Sequence, residues 1–115
     1  MGKIKLAITG CMGRMGQQLI KSAIKDKSTK LVALTENRSI NKKINGIRPE
    51  LNTEKALGKA NVIIDFTIPK CTFEELKIAV KLKKKVVIGT TGFTKKEQNI
   101  INNFSKKIPI LKAGN

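Results

Sequence analysis

Three glycines with the spacing G-x-x-G-x-x-G, at Gly10, Gly13 and Gly16, constrain this chain more than any other feature. They follow a short aliphatic run at residues 4–8, and apolar residues recur at helical spacing after them. A strand followed by a helix is therefore predicted here. Gly10 would allow a tight reversal, Gly13 would let backbone N–H groups approach a pyrophosphate, and Gly16 would let the helix lie close to the strand. The pattern predicts a phosphate-binding turn at the positive end of a helix.

An acidic residue follows the next predicted strand. That strand covers residues 31–35, and Glu36 comes directly after it, about twenty residues beyond the last glycine. At this distance a dinucleotide-binding unit places a carboxylate against the adenosine ribose. Glycine triplets alone are common, so an ordinary tight turn in another α/β protein stays open as the alternative. The strand, the glycines, the helix and the acid together favour a dinucleotide site.

Strand and helix periodicities alternate along the whole sequence. Strands are predicted over residues 4–8, 31–35, 62–66, 86–88 and 108–111. Helices are predicted over residues 14–25, for one turn capped by Thr53, from Thr72 and from Thr94. The two later helices are predicted to open with capping boxes, in which Thr72 pairs with Glu75 and Thr94 pairs with Glu97. The polar segment after Glu36 lacks periodicity and predicts an irregular crossover.

This order of elements predicts an α/β fold, namely a Rossmann-like, doubly wound parallel sheet of about five strands with helices on both faces. A chain of 115 residues can bury one core, so residues 1–115 are expected to form a single domain. Pro109 in the last strand predicts a sheet edge or the start of a strand. The turn at residues 89–93 follows a predicted strand and would lie at the carboxyl end of the sheet, where ligands bind in such folds.

Two charged residues near the predicted site each have two interpretations. Arg14 lies in the first turn of the first helix, where it could bind the same anion as the backbone amides or lie on a solvated face. Asp65 ends the third predicted strand and could act as a general base. Hydrogen bonding of Asp65 to neighbouring backbone groups is the favoured interpretation, because it lies at a strand end.

The formal net charge of +16 raises the question of nucleic-acid binding. The lysines are spread along the whole chain, and no Trp or Tyr is present for stacking on bases. Nucleic acid is therefore disfavoured as a partner. A positive field would instead concentrate anionic ligands such as phosphorylated cofactors.

The cysteines and the apolar segments indicate the compartment. Cys11 and Cys71 lie in unrelated contexts and the chain has no histidine, so we expect free thiols and no metal site. The N-terminal apolar stretch is too short for a signal peptide, and no run of about 18 apolar residues occurs. We expect a cytoplasmic protein with no membrane partner.

Four parts of the sequence together resemble the dihydrodipicolinate reductase family. They are AITGCMGRMG at residues 7–16, Glu36, DFTIP at residues 65–69 and VIGTTGF at residues 87–93. The resemblance extends over essentially the whole chain. It implies an oxidoreductase of lysine and diaminopimelate biosynthesis, which reduces 4-hydroxy-tetrahydrodipicolinate with NADH or NADPH.

The resemblance also implies which residues contact the cofactor. Those expected on the pyrophosphate are Gly10, Cys11, Met12, Gly13, Arg14 and Met15. The remaining expected contacts are Glu36, Phe66, Gly89, Thr90, Thr91, Ala113, Gly114 and Asn115. Glu36 would lie on the adenosine ribose, and residues 89–91 would lie near the nicotinamide. A carboxylate repels a 2′-phosphate, so Glu36 favours NADH, while Arg38 would offset part of that repulsion and let NADPH be tolerated.

Two features differ from the family pattern. The segment between Glu36 and Val62 is shorter than in typical members. The family's histidine-rich, lysine-containing substrate motif belongs to a C-terminal domain that is not among these 115 residues. We therefore expect an N-terminal dinucleotide-binding domain only, excised or truncated, with no catalytic residue, no activity alone and the oligomer contacts missing. The alternative is a stand-alone NAD(H)-sensing module without catalysis.

Overall fold

The computed structural model describes residues 2–113 of the chain. Its elements are, in order, β1 (Ile4–Thr9), α1 (Arg14–Lys25), β2 (Thr29–Thr35), α2 (Glu54–Leu57), β3 (Val62–Asp65), α3 (Pro69–Leu82), β4 (Lys85–Ile88), α4 (Lys95–Phe104) and β5 (Ile110–Lys112). Within this range the five strands form one parallel sheet in the order β2-β1-β3-β4-β5. The predicted Rossmann-like α/β fold is confirmed, and β5 is an edge strand.

Both faces of the sheet are covered by helices. On one face, Ile63 of β3 is buried in a cluster with Leu76 of α3 and Ile101 of α4. On the other face, Ile8 of β1 is buried in a cluster with Ile20 of α1. Residues adjacent in a strand, such as Ala7 and Ile8 of β1, belong to opposite clusters. This explains the continuous apolar runs in the sequence, because the strands are buried on both faces.

The carboxyl ends of four strands finish side by side. Thr9 of β1 is in register with Thr35 of β2 and with Asp65 of β3, and Asp65 is in register with Ile88 of β4. The loops that follow these strands therefore emerge next to one another. This edge is where open parallel sheets bind ligands.

The predicted start of α3 is wrong. The helix begins at Pro69, with Ile68 as its extended N-cap, and no side chain caps it. Proline favours the first position of a helix and keeps the residue before it extended, so Pro69 fixes the start one turn earlier than predicted. Thr72 and Glu75 do not form a capping box but lie fully buried inside the helix.

The other two predicted caps are confirmed. The Thr94 hydroxyl accepts from the Glu97 N–H at 3.1 Å, and the Glu97 carboxylate accepts from the Thr94 N–H at 2.8 Å. Thr53 caps the single turn of α2 by accepting from the Ala56 N–H at 3.1 Å. Both threonines use the side-chain oxygen that helix N-termini require.

The strand bounds differ from the predicted ones by a few residues. β2 begins at Thr29 and β4 at Lys85, while β3 ends at Asp65. The last strand covers residues 110–112 instead of 108–111. Ile108 is buried in the core, and Pro109 has no N–H to donate to the sheet, although its carbonyl accepts from the Val86 N–H at 3.1 Å.

The crossover between β2 and α2 is irregular, as predicted. It contains a short antiparallel bridge from Ile44 to Ile47, whose turn has positive φ at Asn45 and Gly46. Glu50 then pairs with Thr35 in parallel and closes the segment against β2. In the part of the chain that the structure describes, no helix is long and apolar enough to cross a membrane.

Candidate functional site

The glycine turn, residues 10–13, links β1 to α1. Gly10 has a φ of +65°, and a Cβ there would overlap the carbonyl oxygen of Phe66. A Cβ on Gly16 would overlap the carbonyl oxygen of Gly10, so the helix can approach the turn only because residue 16 is glycine. The predicted roles of these two glycines, tight reversal and close packing, agree with this geometry.

Gly13 differs from both, because a Cβ there would be crowded but not excluded. It is the N-cap of α1, with a φ of −74° and no side-chain hydrogen bond to the helix. A Cβ on Gly13 would meet one atom, the carbonyl oxygen of Gly10, at 3.3 Å. The N–H groups of Arg14 and Met15 lie in the first helical turn, where the helix itself offers them no acceptor. Because Gly13 is exposed to solvent and has no side chain, an anionic group can approach these donors.

Glu36 lies directly beside the glycine turn. One of its carboxylate oxygens accepts from the Met12 N–H at 2.9 Å, and the other accepts from the Asn37 N–H at 3.1 Å. The Glu36 N–H donates to the Glu50 carbonyl at 2.9 Å, which anchors the residue to the crossover. The acid and the glycines, separated in sequence by a whole helix and strand, are thus brought together.

A cavity of about 230 Å³ opens between these groups, and we call it the Glu36 cavity. Four predicted site residues line it, namely Gly10, Gly13, Glu36 and Phe66. The other lining residues are Asn37, Asn52, Thr67, Ile68 and Cys71. Of these, Thr67 and Ile68 belong to the DFTIP phrase. Asn52 and Cys71 carried no sequence signal as site residues.

A second cavity, of about 200 Å³, lies after β4, and we call it the Thr91 cavity. Its lining residues are Ile88, Thr90, Thr91, Gly92, Phe93, Gln98 and Lys112. Gly89 comes directly before these turn residues, and a Cβ on it would overlap the ring of Phe66, which lines the Glu36 cavity. Phe66 therefore packs on the backbone of the turn after β4.

The remaining predicted site residues lie around these cavities. Arg14 and Met15 are exposed at the start of α1 and line neither cavity. Ala113 is exposed after β5, and its N–H donates to the Ile88 carbonyl at 2.7 Å. Gly114 and Asn115 lie outside the described residues.

Cys11 is fully buried beneath the glycine turn. Its N–H donates to the Thr35 carbonyl at 3.2 Å, and its side chain belongs to the core cluster on the α1 face. Burial, and secondarily the Glu36 carboxylate, raises the pKa of the thiol to about 11. Cys11 can thus support the turn, but its thiol is held in the unreactive protonated form.

Asp65 contacts side chains instead of the backbone groups that its position suggested. Four threonine hydroxyls donate to its carboxylate, those of Thr9, Thr67, Thr72 and Thr90. We call these five residues the Asp65 cluster. It lies at the carboxyl end of β3 and is buried except at Thr67, which is partly exposed.

Glu75 of α3 is buried against this cluster. Burial, together with the nearby carboxylate of Asp65, raises the pKa of Glu75 well above its ordinary value of 4.5. Its Oε2 atom accepts from the Asn52 side-chain amide at 3.4 Å, whereas among the described residues its Oε1 atom has no hydrogen-bond donor. Protonation of Glu75 resolves this, because a neutral carboxyl group can donate to Asp65 instead of repelling it.

Replacing Glu75 with glutamine is therefore expected to flatten the pH dependence of stability. The folded chain keeps a proton on Glu75 that the unfolded chain releases above about pH 4.5. The free energy of unfolding therefore falls as the pH rises from about 4.5 towards the raised pKa of Glu75. Glutamine has the shape of the neutral acid and does not titrate. Urea unfolding of both chains from about pH 4 to about pH 8 measures the difference. Parallel stability curves would contradict a raised pKa for Glu75.

A parallel sheet with a glycine turn, an acid after its second strand and a cavity between them defines a Rossmann-like dinucleotide-binding domain. The family model "Dihydrodipicolinate reductase, N-terminus" matches residues 4–115, and the chain belongs to that family.

Individual relatives agree with the family model. The chain is 65% identical, over its whole length, to the 4-hydroxy-tetrahydrodipicolinate reductase of Pelagibacter ubique. Over 96% of its length it is 44% identical to the enzyme of the same name from Buchnera aphidicola subsp. Schizaphis graminum. It spans 45% of the length of each of these curated relatives.

A solved structure supports the same assignment. The dipicolinate-bound dihydrodipicolinate reductase from Paenisporosarcina sp. TG-14 superposes with a TM-score of 0.79 at 25% identity. The match covers 98% of this chain and 48% of that one. The fold described here is therefore that of the N-terminal part of such a reductase.

Proposed function

We propose that residues 1–115 bind NADH or NADPH as the cofactor-binding part of a cytoplasmic reductase of lysine and diaminopimelate biosynthesis. The observation that carries the proposal is the Glu36 carboxylate, held 2.9 Å from the Met12 N–H at the mouth of a cavity lined by glycines. Among residues 2–113 the ion pairs do not involve Glu36, and its carboxylate lines the cavity while it accepts two backbone N–H groups. A ribose suits this position, because its hydroxyls donate to carboxylates.

The phosphate end of the proposed site is built from backbone. The N–H groups at the start of α1 would donate to the pyrophosphate, and the exposed Gly13, which has no side chain, would let it approach. Arg14 is exposed there and can turn towards the same anion. The other proposed pyrophosphate contacts are Gly10, Cys11, Met12 and Met15. The net charge of +16 would raise the local concentration of the dinucleotide.

The nicotinamide end is proposed around the turn after β4. Gly89, Thr90 and Thr91 would lie along the ring, with Phe66 closing the side towards the Glu36 cavity. Ala113, Gly114 and Asn115 complete the proposed contacts. When bound, the cofactor would supply a hydride that, with one proton, converts 4-hydroxy-tetrahydrodipicolinate to tetrahydrodipicolinate as the hydroxyl leaves as water. The described residues would orient the ring and exclude water from one face.

NADH is expected to bind more tightly than NADPH. The Glu36 carboxylate would accept from ribose hydroxyls but repel a 2′-phosphate, and the exposed Arg38 nearby offsets part of that repulsion. Replacing Glu36 with glutamine keeps an acceptor for the Met12 N–H and removes the charge. The preference for NADH should then shrink, because NADH binds less tightly and NADPH loses its repulsion.

Calorimetric titration of both cofactors measures this preference. Glu50→Gln is the matched control, because it removes one carboxylate from the same crossover, where Glu50 pairs with Lys59 at the surface. The control should keep the wild-type preference. An NADPH affinity about ten times better than that of NADH in the wild-type chain would contradict the proposed role of Glu36.

A further inference from the structure

The Asp65 cluster joins four different elements through one carboxylate. On Oδ1, Asp65 accepts from Thr9 of β1 at 3.1 Å and from Thr67 of the loop before α3 at 2.6 Å. On Oδ2, it accepts from Thr72 of α3 at 2.5 Å and from Thr90, after β4, at 3.0 Å. Asp65 itself is fully buried. It therefore cannot touch a ligand directly.

The pattern of donors suits a carboxylate and no other side chain of similar size. Both oxygens of Asp65 only accept, and each receives two hydroxyl groups. Among residues 2–113, the ion pairs join Lys59 to Glu50 and Lys81 to Glu54, so no cation pairs with Asp65. Burying such a group is costly unless hydrogen bonds replace its water. An apolar residue would fill this position without the cost of desolvating a carboxylate.

The link from Asp65 to the proposed cofactor site runs through Thr90. Its hydroxyl donates to Asp65 and accepts from the Thr67 N–H at 2.7 Å. The Asp65 carbonyl also accepts from the Gly89 N–H at 2.7 Å. Through these bonds, the loop at residues 66–68 is fastened to the turn after β4.

Both fastened segments lie at the cavities. Phe66, Thr67 and Ile68 line the Glu36 cavity, and Thr90 lines the Thr91 cavity. A shift of either segment would change the shape of the cavity that it lines and the contact of the Phe66 ring with Gly89. The two cavities that are proposed to hold the ends of an extended dinucleotide would then no longer be held at a fixed distance from each other.

We propose that Asp65 is a positioning residue of the dinucleotide site, which acts by holding the loop at residues 66–68 and Thr90 in the arrangement that the cofactor needs. This inference rests on the proposed function, because it concerns the affinity for the same cofactor. It also explains the buried carboxylate: a polar cluster of this kind fixes one arrangement of the two loops, whereas apolar packing would allow several.

The test is a double-mutant cycle on NADH affinity with Asp65→Asn and Thr90→Val. Asparagine keeps the size of the side chain but replaces one acceptor oxygen with a donor. Each single change should weaken NADH binding about tenfold, and the double variant should lose no more than about tenfold in total, because both cut one connection. Ile101→Val, a conservative change in the core under α4, should lower stability and leave NADH affinity unchanged.

Two results would overturn the proposal. One is a folded Asp65→Asn chain with wild-type NADH affinity. The other is losses that multiply in the double variant, which would mean that Asp65 and Thr90 act independently. If Asp65→Asn does not fold, the pair Thr90→Val and Thr90→Ser tests the same connection. Serine keeps the bridging hydroxyl and should restore NADH affinity, and a serine chain as weak as the valine chain would overturn the proposal.

Hydrogen exchange separates this proposal from the proposed function. The Thr67 N–H is held by Thr90, so its exchange should speed up in Asp65→Asn and in Thr90→Val without any cofactor present. An unchanged exchange rate at Thr67 would overturn the positioning role even if NADH binds. A wild-type chain with a protected Thr67 that fails to bind NADH would overturn the proposed function instead.

Discussion

Replacing Gly13 with aspartate is expected to abolish NADH binding while leaving the fold intact. Gly13 has a φ of −74°, which any residue can adopt, and its Cβ would meet one backbone atom, the Gly10 carbonyl oxygen, at 3.3 Å, a tight contact that a shift of a few tenths of an ångström relieves. Aspartate is also among the best N-cap residues, so α1 would gain the side-chain cap that it lacks. The carboxylate would occupy the proposed pyrophosphate position and repel it. We expect an affinity loss of at least about 100-fold, which corresponds to ~3 kcal/mol.

The matched control is Gly13→Asn, which has nearly the same volume, caps a helix as well and carries no charge. It separates steric exclusion from charge repulsion, and we expect it to bind NADH weakly but better than the aspartate variant. Calorimetry gives the affinities, and thermal unfolding shows that neither variant loses stability. An aspartate variant that unfolds at the wild-type temperature and binds NADH normally would mean that the pyrophosphate lies elsewhere.

Residues 1–115, assayed by themselves, are expected not to catalyse the proposed reduction. Hydride transfer requires the donor and acceptor carbons to be held about 3 to 3.5 Å apart, and such positioning can supply on the order of 7 to 11 kcal/mol of the barrier. The substrate is a dicarboxylate that needs fixed cations and a proton donor. The described lysines are dispersed over the surface. Of them, Lys112 lines the Thr91 cavity and none lines the Glu36 cavity, and one ammonium group does not supply the several fixed cations and the proton donor that would hold a dicarboxylate against one face of a nicotinamide.

The comparison is with the same residues fused to the C-terminal part of a complete relative. NADH oxidation is followed with freshly generated substrate, and the fusion should turn over while the 115-residue chain does not. Gly13→Asp in the fusion is the control, because it should remove turnover if the reaction uses this cofactor site. Turnover by the short chain within a factor of about 100 of the fusion would place the catalytic groups within residues 1–115.

Sequence reasoning worked best where one residue type has one physical reason. Gly10 is predicted to allow a tight turn, and its φ is positive. Gly16 is predicted to allow a close approach of the helix, and a Cβ there would overlap the turn. The acid was found by its distance from the glycines. These signals are local, or they follow from the fixed length of a β-α-β unit.

The prediction failed where tertiary contacts compete with a local pattern. Thr72 and Glu75 have the spacing of a capping box, but Pro69 starts the helix earlier and frees both side chains to face Asp65. Asn52 reaches the Glu36 cavity from a crossover without periodicity, so no sequence pattern marked it. The Asp65 cluster likewise depends on strand register, which brings together threonines from separate elements.

The most direct test of the proposed site is a titration of the ¹⁵N-labelled chain with NADH, followed by amide NMR. Binding at the glycine turn should shift the N–H signals of residues 11–15 and Glu36 most, with saturation at micromolar to submillimolar NADH. A chain with a charge of +16 can also bind anions loosely, so a matched NADH titration of Gly13→Asp shows which shifts come from the surface lysines alone. Saturable shifts that are centred on the turn and are lost in Gly13→Asp are the predicted result. No shifts at millimolar NADH, or shifts that are spread over surface lysines and are unchanged in Gly13→Asp, would contradict it.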